Sequence, residues 1–148
     1  SSLLQLTLDM SRNDLGAAPQ AWEALRGLPQ LAQLRINLAG NEMGTEGAEA
    51  VADALRSPLM RLCARYLLEE KRREGRAADP VAHFHLSNGA TVERINWLGD
   101  TSSNGIRQSA GMMVNYLYHL GKIEDNHEAY TARGKVSASS GVRALLKG

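Results

Sequence analysis

Apolar positions along the chain follow two different patterns. Over residues 3–44 they repeat: Leu3, Leu6, Leu8, Met10, Asn13, Leu15 and Gly16 are matched 28 residues later by Leu31, Leu34, Ile36, Leu38, Asn41, Met43 and Gly44. Seven matches at one offset mark an internal repeat. Within each copy the alternation seen in Leu6, Leu8 and Met10 predicts a short strand. Asn13 and Asn41 are structural, because an Asn side chain at a turn satisfies backbone groups that a strand leaves open. Trp22, Leu25 and Leu28, and later Ala50, Val51, Ala54 and Leu55, predict a helix after each turn. A third copy begins with Leu59 and Leu62, but Ala64, Tyr66 and Glu69 stand where Ile36, Leu38 and Asn41 should recur. The repeat ends there, and Pro58 predicts a break, with a junction at about 58–62.

Beyond the junction the pattern changes. Leu62, Cys63, Tyr66 and Leu67 share a helical face and predict a helix over 60–73, with Lys71, Arg72 and Arg73 as its solvated end. Gly75 and the turn Ala78-Asp79-Pro80 close it. Apolar alternation over 81–86 and 90–98 flanks Ser87-Asn88-Gly89, which predicts a hairpin of two strands. The polar loop Thr101-Ser102-Ser103-Asn104-Gly105 then leads into a predicted helix at 106–120, with Met113, Tyr116, Leu117 and Leu120 at helical spacing. A short helix at 126–132 follows, and Ser139 or Ser140 caps a last one.

Charge divides the chain at the same place. Residues 1–58 carry four basic and seven acidic side chains, and residues 59–148 carry thirteen and nine. The sign change supports two modules, while a net charge of +1 gives no global support for nucleic-acid binding. No apolar run approaches the roughly 20 residues of a membrane helix. The single cysteine, Cys63, forms no internal disulfide and reads as a small apolar filler. A start at Ser1-Ser2-Leu3-Leu4, with neither an initiator Met nor a signal region, reads as a processed product or a fragment. The ending Leu145-Leu146-Lys147-Gly148 is not a peroxisomal signal.

The repeated Leu-x-x-Leu-x-Leu-x-Leu-x-x-Asn-x-Leu pattern, with Gly47-Ala48 following, resembles leucine-rich repeats of the ribonuclease-inhibitor type over residues 3–58. The resemblance implies strand-plus-helix solenoid units and a protein partner. Two copies fall short of the three or so, plus caps, that such arrays need for a continuous core.

Candidate chemistry is concentrated in the second part. The chain has no P-loop, Gly-x-Gly-x-x-Gly or Gly-x-Ser-x-Gly. His83 and His85, two apart on a predicted strand, have no Asp, Glu or Cys on that strand to complete a metal site. The strand Arg94-Ile95-Asn96-Trp97-Leu98 feeds the Ser/Gly loop into a helix, a geometry that aims backbone N–H groups at an anion such as phosphate. Asn104, Gly105, Arg107 and Ser109 are the residues to make such contacts. The same loop reads equally as an ordinary capping turn.

Longer motifs are specific. Pro80-Val-Ala-His-Phe-His85-Leu-Ser-Asn-Gly-Ala90, Arg94-Ile-Asn-Trp97 and Gln108-Ser-Ala-Gly-Met-Met-Val-Asn-Tyr-Leu-Tyr118 resemble the C-terminal part of the malonyl-CoA decarboxylase family. Ile123-Glu-Asp-Asn-His-Glu-Ala-Tyr130 and Val136-Ser-Ala-Ser139 extend the likeness from about Pro58 to the end.

The resemblance implies an acetyltransferase-like (GNAT) fold that takes malonyl-CoA as substrate and releases acetyl-CoA and carbon dioxide, with no metal or organic cofactor. It places the family's proton-donating histidine at His85 and an active-site tyrosine at Tyr118. It assigns the loop with Asn104, Gly105, Arg107 and Ser109 to the CoA pyrophosphate. The family's catalytic serine lies upstream of the histidine motif, and neither Ser57 nor Ser87 has its context. Cytoplasm, mitochondrion and peroxisome all remain open by resemblance. On the residues alone, His85 reads also as a hydrogen-bonded core histidine, His83 as its neighbour on the same strand face, and Tyr118 as a packed helix-face tyrosine.

The expectation is therefore an α/β (α+β) chain, with a leucine-rich repeat segment at 1–58 and a partial GNAT-like segment at 59–148. Two functions follow: a malonyl-CoA decarboxylase-type enzyme that lacks its serine, or a non-catalytic repeat module with a remnant acyl-CoA fold. Neither reading involves nucleic acid or a membrane.

Overall fold

In the computed structural model the described residues are 4–9, 31–37, 45–72 and 75–147. The expected turns at Asn13 and Asn41 and the expected helix with Trp22, Leu25 and Leu28 lie outside them. The chain divides into two compact units, Ser1–Leu62 and Cys63–Gly148.

The first unit holds strands β1 (Leu4–Asp9) and β2 (Leu31–Asn37). They pair in parallel, and after an irregularity at Leu4/Gln5 the partners are Leu6 with Leu34, Leu8 with Ile36 and Asp9 with Asn37. The pairing register is thus the 28-residue offset of the sequence repeat. Helix α1 (Thr45–Leu68) runs uninterrupted through the unit boundary with Pro58 inside it. The predicted break at Pro58 does not occur. The missing N–H costs a helix about 3 kcal/mol, and packing offsets it here: Val51, Ala54 and Pro58, at helical spacing, are all buried.

The second unit starts on the last turns of α1, where Ala64 and Leu67 are buried while Tyr66 is exposed. The helix ends at Leu68, earlier than expected. Lys71 forms an isolated antiparallel bridge with Ala77 instead of prolonging the helix.

Helix α2 (Pro80–Ser87) comes next. This overturns the strand expected at 81–86 and, with it, the hairpin. Six alternating residues do not distinguish a strand from a helix; the flanking residues do. Asp79 is the N-cap, its carboxylate accepting the Ala82 N–H at 2.7 Å, and Pro80 occupies the first turn, where its missing N–H is harmless. The Asn-Gly pair closes this helix. Ala90 N–H returns to the His85 carbonyl at 3.0 Å and Gly89 N–H to that of Leu86 at 3.0 Å. Gly89 adopts φ +80°, the left-handed conformation that ends helices. Ala82 and Leu86 form the buried face, leaving Val81 and Phe84 outside.

Strand β3 (Thr91–Asn96) follows as expected, then helix α3 (Ser103–Ser109) and strand β4 (Met113–Leu117), antiparallel to β3. The helix expected over 106–120 therefore stops at Ser109. Ala110 and Gly111 both take left-handed angles, φ 51° and 75°, which turn the chain back into the sheet. On the other edge of β3, Val92 bonds to the 137–139 segment: Val92 N–H to the Ser137 carbonyl at 2.9 Å and Ser139 N–H to the Val92 carbonyl at 3.0 Å. A 3-10 turn (Leu120–Lys122) introduces helix α4 (Ile123–Arg133), and α5 (Ser140–Ala144) is capped by the Ser139 hydroxyl, which accepts the Val142 N–H. Helix α4 packs on α2, and α5 on β3.

The core of this unit is Ala64, Leu67, Ala77, Ala82, Leu86, Ala90, Val92, Ile95, Tyr130, Val136 and Val142. Its many alanines let α2 lie close to its neighbours. Architecturally it is a mixture of helices and a small antiparallel sheet. Among the described residues no helix is long and apolar enough to cross a membrane.

Candidate active site

Helix α2 and strand β4 meet at His85. The ring Nδ1 lies 2.9 Å from the hydroxyl of Tyr118, the residue that follows β4. The ring face stacks on Tyr116, within β4, at a centroid distance of 4.2 Å and an interplanar angle of 13°. Phe84 meets the same imidazole edge-on, at 5.3 Å and 78°. The two residues singled out from the sequence, His85 and Tyr118, are therefore brought together. Tyr118 is not on a helix face, and His85 is not on a strand.

His83 is not a neighbour on the same face. Two positions along a helix turn through about 200°, and His83 faces Tyr130, its Nδ1 2.8 Å from that hydroxyl. The Tyr130 oxygen also accepts the Ala77 N–H at 2.8 Å. The two histidines thus diverge and do not form a metal pair. Among the described residues no three His, Cys, Asp or Glu side chains gather as metal ligands.

Tyr116 was read from the sequence as one residue of an apolar helix face, and its contact with His85 was missed. A signal was present: Tyr116 and Tyr118 are two apart beyond a glycine stop, the spacing that puts both on one side of a strand. Burial, with the nearby Asp79 carboxylate and Cys63 thiol adding to it, pushes the Tyr116 hydroxyl well above the ordinary tyrosine range, so it stays neutral. Burial, and after it Asp79, pushes the Cys63 thiol up to about 11, which fits a packing residue and not a nucleophile.

The Ser/Gly loop is internally bonded. Ser102 is the N-cap of α3, its hydroxyl accepting the Gly105 N–H at 3.1 Å, and Asp100 accepts the Ser102 N–H at 3.0 Å. Hydrogen bonding from the Ser102 side chain, and after it from the Ser102 N–H, holds the Asp100 carboxyl below its usual range. Gly105 is required because a Cβ there would collide with the Asp100 side chain. Arg107 donates to Asn104 Oδ1 at 2.7 Å, and the Ser109 hydroxyl donates to the Gly105 carbonyl at 3.1 Å. Asn104 and Arg107 are exposed, and Gly105 is buried. The capping turn is thus formed, and the cation of this segment lies on its outer surface.

A further hydrogen-bond network, unread in the sequence, centres on Asn126. The Asn126 amide donates to the Gly89 carbonyl at 3.1 Å and to the Thr91 hydroxyl at 3.2 Å, and its carbonyl accepts from Ser137 at 2.7 Å. The end of α2, the start of β3 and the 137–139 segment are joined through one side chain.

On this mixed helix–sheet scaffold a helix-borne histidine thus meets one tyrosine within an antiparallel strand and a second just past its end. Residues 20–148 match the malonyl-CoA decarboxylase C-terminal domain, and the chain belongs to that family. The match starts well upstream of residue 59 and takes in β2 and all of α1. Mitochondrial malonyl-CoA decarboxylase of the goose Anser anser anser is 55% identical over 99 residues, 67% of this chain and 19% of that protein. The mouse enzyme of the same name is 41% identical over 137 residues, 91% of this chain and 27% of that protein. The crystal structure of malonyl-CoA decarboxylase from Agrobacterium vitis superposes with a TM-score of 0.66 at 43% identity, covering 86% of this chain and 28% of that one. The chain thus spans between about a fifth and about a quarter of the length of the relatives it matches.

Proposed function

We propose that the chain carries the histidine-bearing part of a malonyl-CoA decarboxylase active site, with His85 as proton donor and Tyr118 as the residue that orients it. The observation that carries this reading is the 2.9 Å contact between His85 Nδ1 and the Tyr118 hydroxyl. With Nδ1 engaged, Nε2 is the ring nitrogen left for substrate. Decarboxylation breaks the bond between the carboxylate carbon and the α-carbon of the malonyl thioester, and the electron pair remains as a thioester enolate. Transfer of a proton from Nε2 to the α-carbon gives the acetyl thioester and a neutral imidazole, which solvent reprotonates. A histidine suits this step because its ordinary titration lies near neutral pH, and the enolate needs hydrogen-bond donors as it forms.

A GNAT-like fold is part of the proposal, supported by the order strand, Ser/Gly loop, helix and antiparallel return strand from β3 to β4. For the CoA pyrophosphate, Arg107 is the principal contact, assisted by Asn104 and Ser109. Gly105 serves by its lack of a side chain, since its N–H is already given to Ser102. The serine that completes the family's site is not Ser87, whose hydroxyl is turned back onto the Phe84 carbonyl at 3.0 Å.

The test is acetyl-CoA formation from malonyl-CoA by the purified chain, beside His85→Ala. Turnover abolished by the substitution supports the enzyme reading. A folded chain without turnover refutes an active enzyme and makes this chain a decarboxylase remnant, because acid–base constellations lose most of their rate when one member is missing.

A second reading is favoured by the register of β1 and β2, which equals the sequence repeat. It makes the first part a leucine-rich repeat segment that binds a protein partner, as stacked repeats do.

A further inference from the structure

We propose that Tyr116 is a positioning residue, which fixes the plane of the His85 imidazole through the face of its aromatic ring and not through its hydroxyl. The inference rests on the reading of His85 as proton donor, and it adds a role to a residue that the sequence motifs left as packing.

The geometry is the argument. A planar ring joined to the backbone by two rotatable bonds needs two restraints to fix where its free nitrogen points. One lies in the ring plane, the contact between Nδ1 and the Tyr118 hydroxyl. It sets the direction of one nitrogen but lets the ring rock about that contact. The second must act on the face, and Tyr116 supplies it, nearly parallel at 13° and 4.2 Å. Phe84 bounds an edge but is 62% exposed and follows its own helix, so it does not replace the face contact. Tyr116 itself is anchored within β4, where it pairs with Val92, a fully buried residue of the core strand.

The hydroxyl is dispensable on this account. Burial and the neighbouring Asp79 carboxylate hold it neutral, so it is not a proton source at ordinary pH. The role belongs to the ring face, and phenylalanine should serve equally.

The test uses the full chain with labelled histidines, whose four imidazole signals are assigned by His→Gln substitution. In the unmodified chain the His85 ring protons appear upfield, displaced by the ring current of Tyr116. Tyr116→Phe keeps that displacement, and Tyr116→Leu abolishes it while leaving His83, on the same helix, unmoved. The His83 signal also reports that each variant is folded. Unchanged His85 signals in Tyr116→Leu, or equal loss in Tyr116→Phe, overturn the proposal. These readouts need no turnover, so they separate its failure from failure of the decarboxylase reading. If the chain turns over, Tyr116→Leu lowers kcat about tenfold with KM nearly constant, and Tyr116→Phe retains it. A change confined to KM overturns the positioning role.

Discussion

His85 and Tyr118 stand 33 residues apart in the chain and meet with 2.9 Å between Nδ1 and the phenolic oxygen. Two positions earlier on the same helix, His83 meets Tyr130 at 2.8 Å. The two pairs use the same atoms and differ in their surroundings. Tyr130 is 4% exposed and its oxygen also holds the Ala77 N–H, whereas Tyr118 is 40% exposed.

The same substitution should therefore have opposite consequences at the two tyrosines. Tyr130→Phe strands a buried backbone N–H and a histidine nitrogen, and should lower stability by about 2 kcal/mol. Turnover of the folded chain, where present, should be unaffected. Tyr118→Phe should change stability by less than about 1 kcal/mol, but lower turnover about tenfold or more because the acid loses its orientation. Denaturant midpoints and initial rates on both variants decide it.

Gly89 is constrained twice. It closes α2 at φ +80°, and a Cβ at that position would strike the Ile123 carbonyl at the start of α4. Gly89→Ala should cost more than the roughly 1 kcal/mol of an ordinary left-handed alanine, on the order of 3 kcal/mol. Because α4 would have to move, the Asn126 amide bond to the Gly89 carbonyl should be lost as well. Thermal unfolding of the variant measures the cost, and a change below about 1 kcal/mol would show that α4 shifts freely.

Asp79→Ala should fray the first turn of α2, whose Ala82 N–H loses its acceptor, at a cost of about 1 kcal/mol. Asp79→Asn should recover most of it, since an amide carbonyl caps nearly as well. Both variants should also lower the ionisation range of the Tyr116 hydroxyl, because the Asp79 carboxylate helps to hold it up. Ultraviolet titration of the tyrosines alongside unfolding separates the two effects.

What was legible in the sequence divides along physical lines. Motifs long enough to be specific singled out His85 and Tyr118, which the structure brings within 2.9 Å of each other, and the repeat offset equals the register in which β1 and β2 pair. Short segments were misread in both directions. Residues 81–86 alternate like a strand, yet Asp79 and Pro80 start a helix there. Residues 113–117 have apolar groups at helical spacing, yet Ala110 and Gly111 stop the helix and the segment becomes β4. In each case the terminating residues carried more information than the periodicity between them. Tyr116 stayed hidden because its partner, His85, lies on another element, and the packing of α2 against β4 that joins them is encoded by no local pattern.

Cys63 offers a prediction in pH. Burial raises its thiol from the ordinary 9.0 to about 11, with Asp79 adding to the effect, while the unfolded chain keeps the ordinary value. A folded value above the unfolded one means that the protonated thiol is favoured by folding. Its contribution is complete below about pH 9 and disappears as pH rises through about 11. Stability should therefore fall across that window, by about 1–2 kcal/mol from this group. Cys63→Ala should remove that part of the slope. Alkylation of the folded chain by iodoacetamide at pH 8 should also run roughly tenfold or more slower than that of the unfolded chain, because the thiolate is the reacting species. A folded chain that alkylates as fast as the unfolded one would place Cys63 in an open, ionisable environment and remove the basis for both expectations.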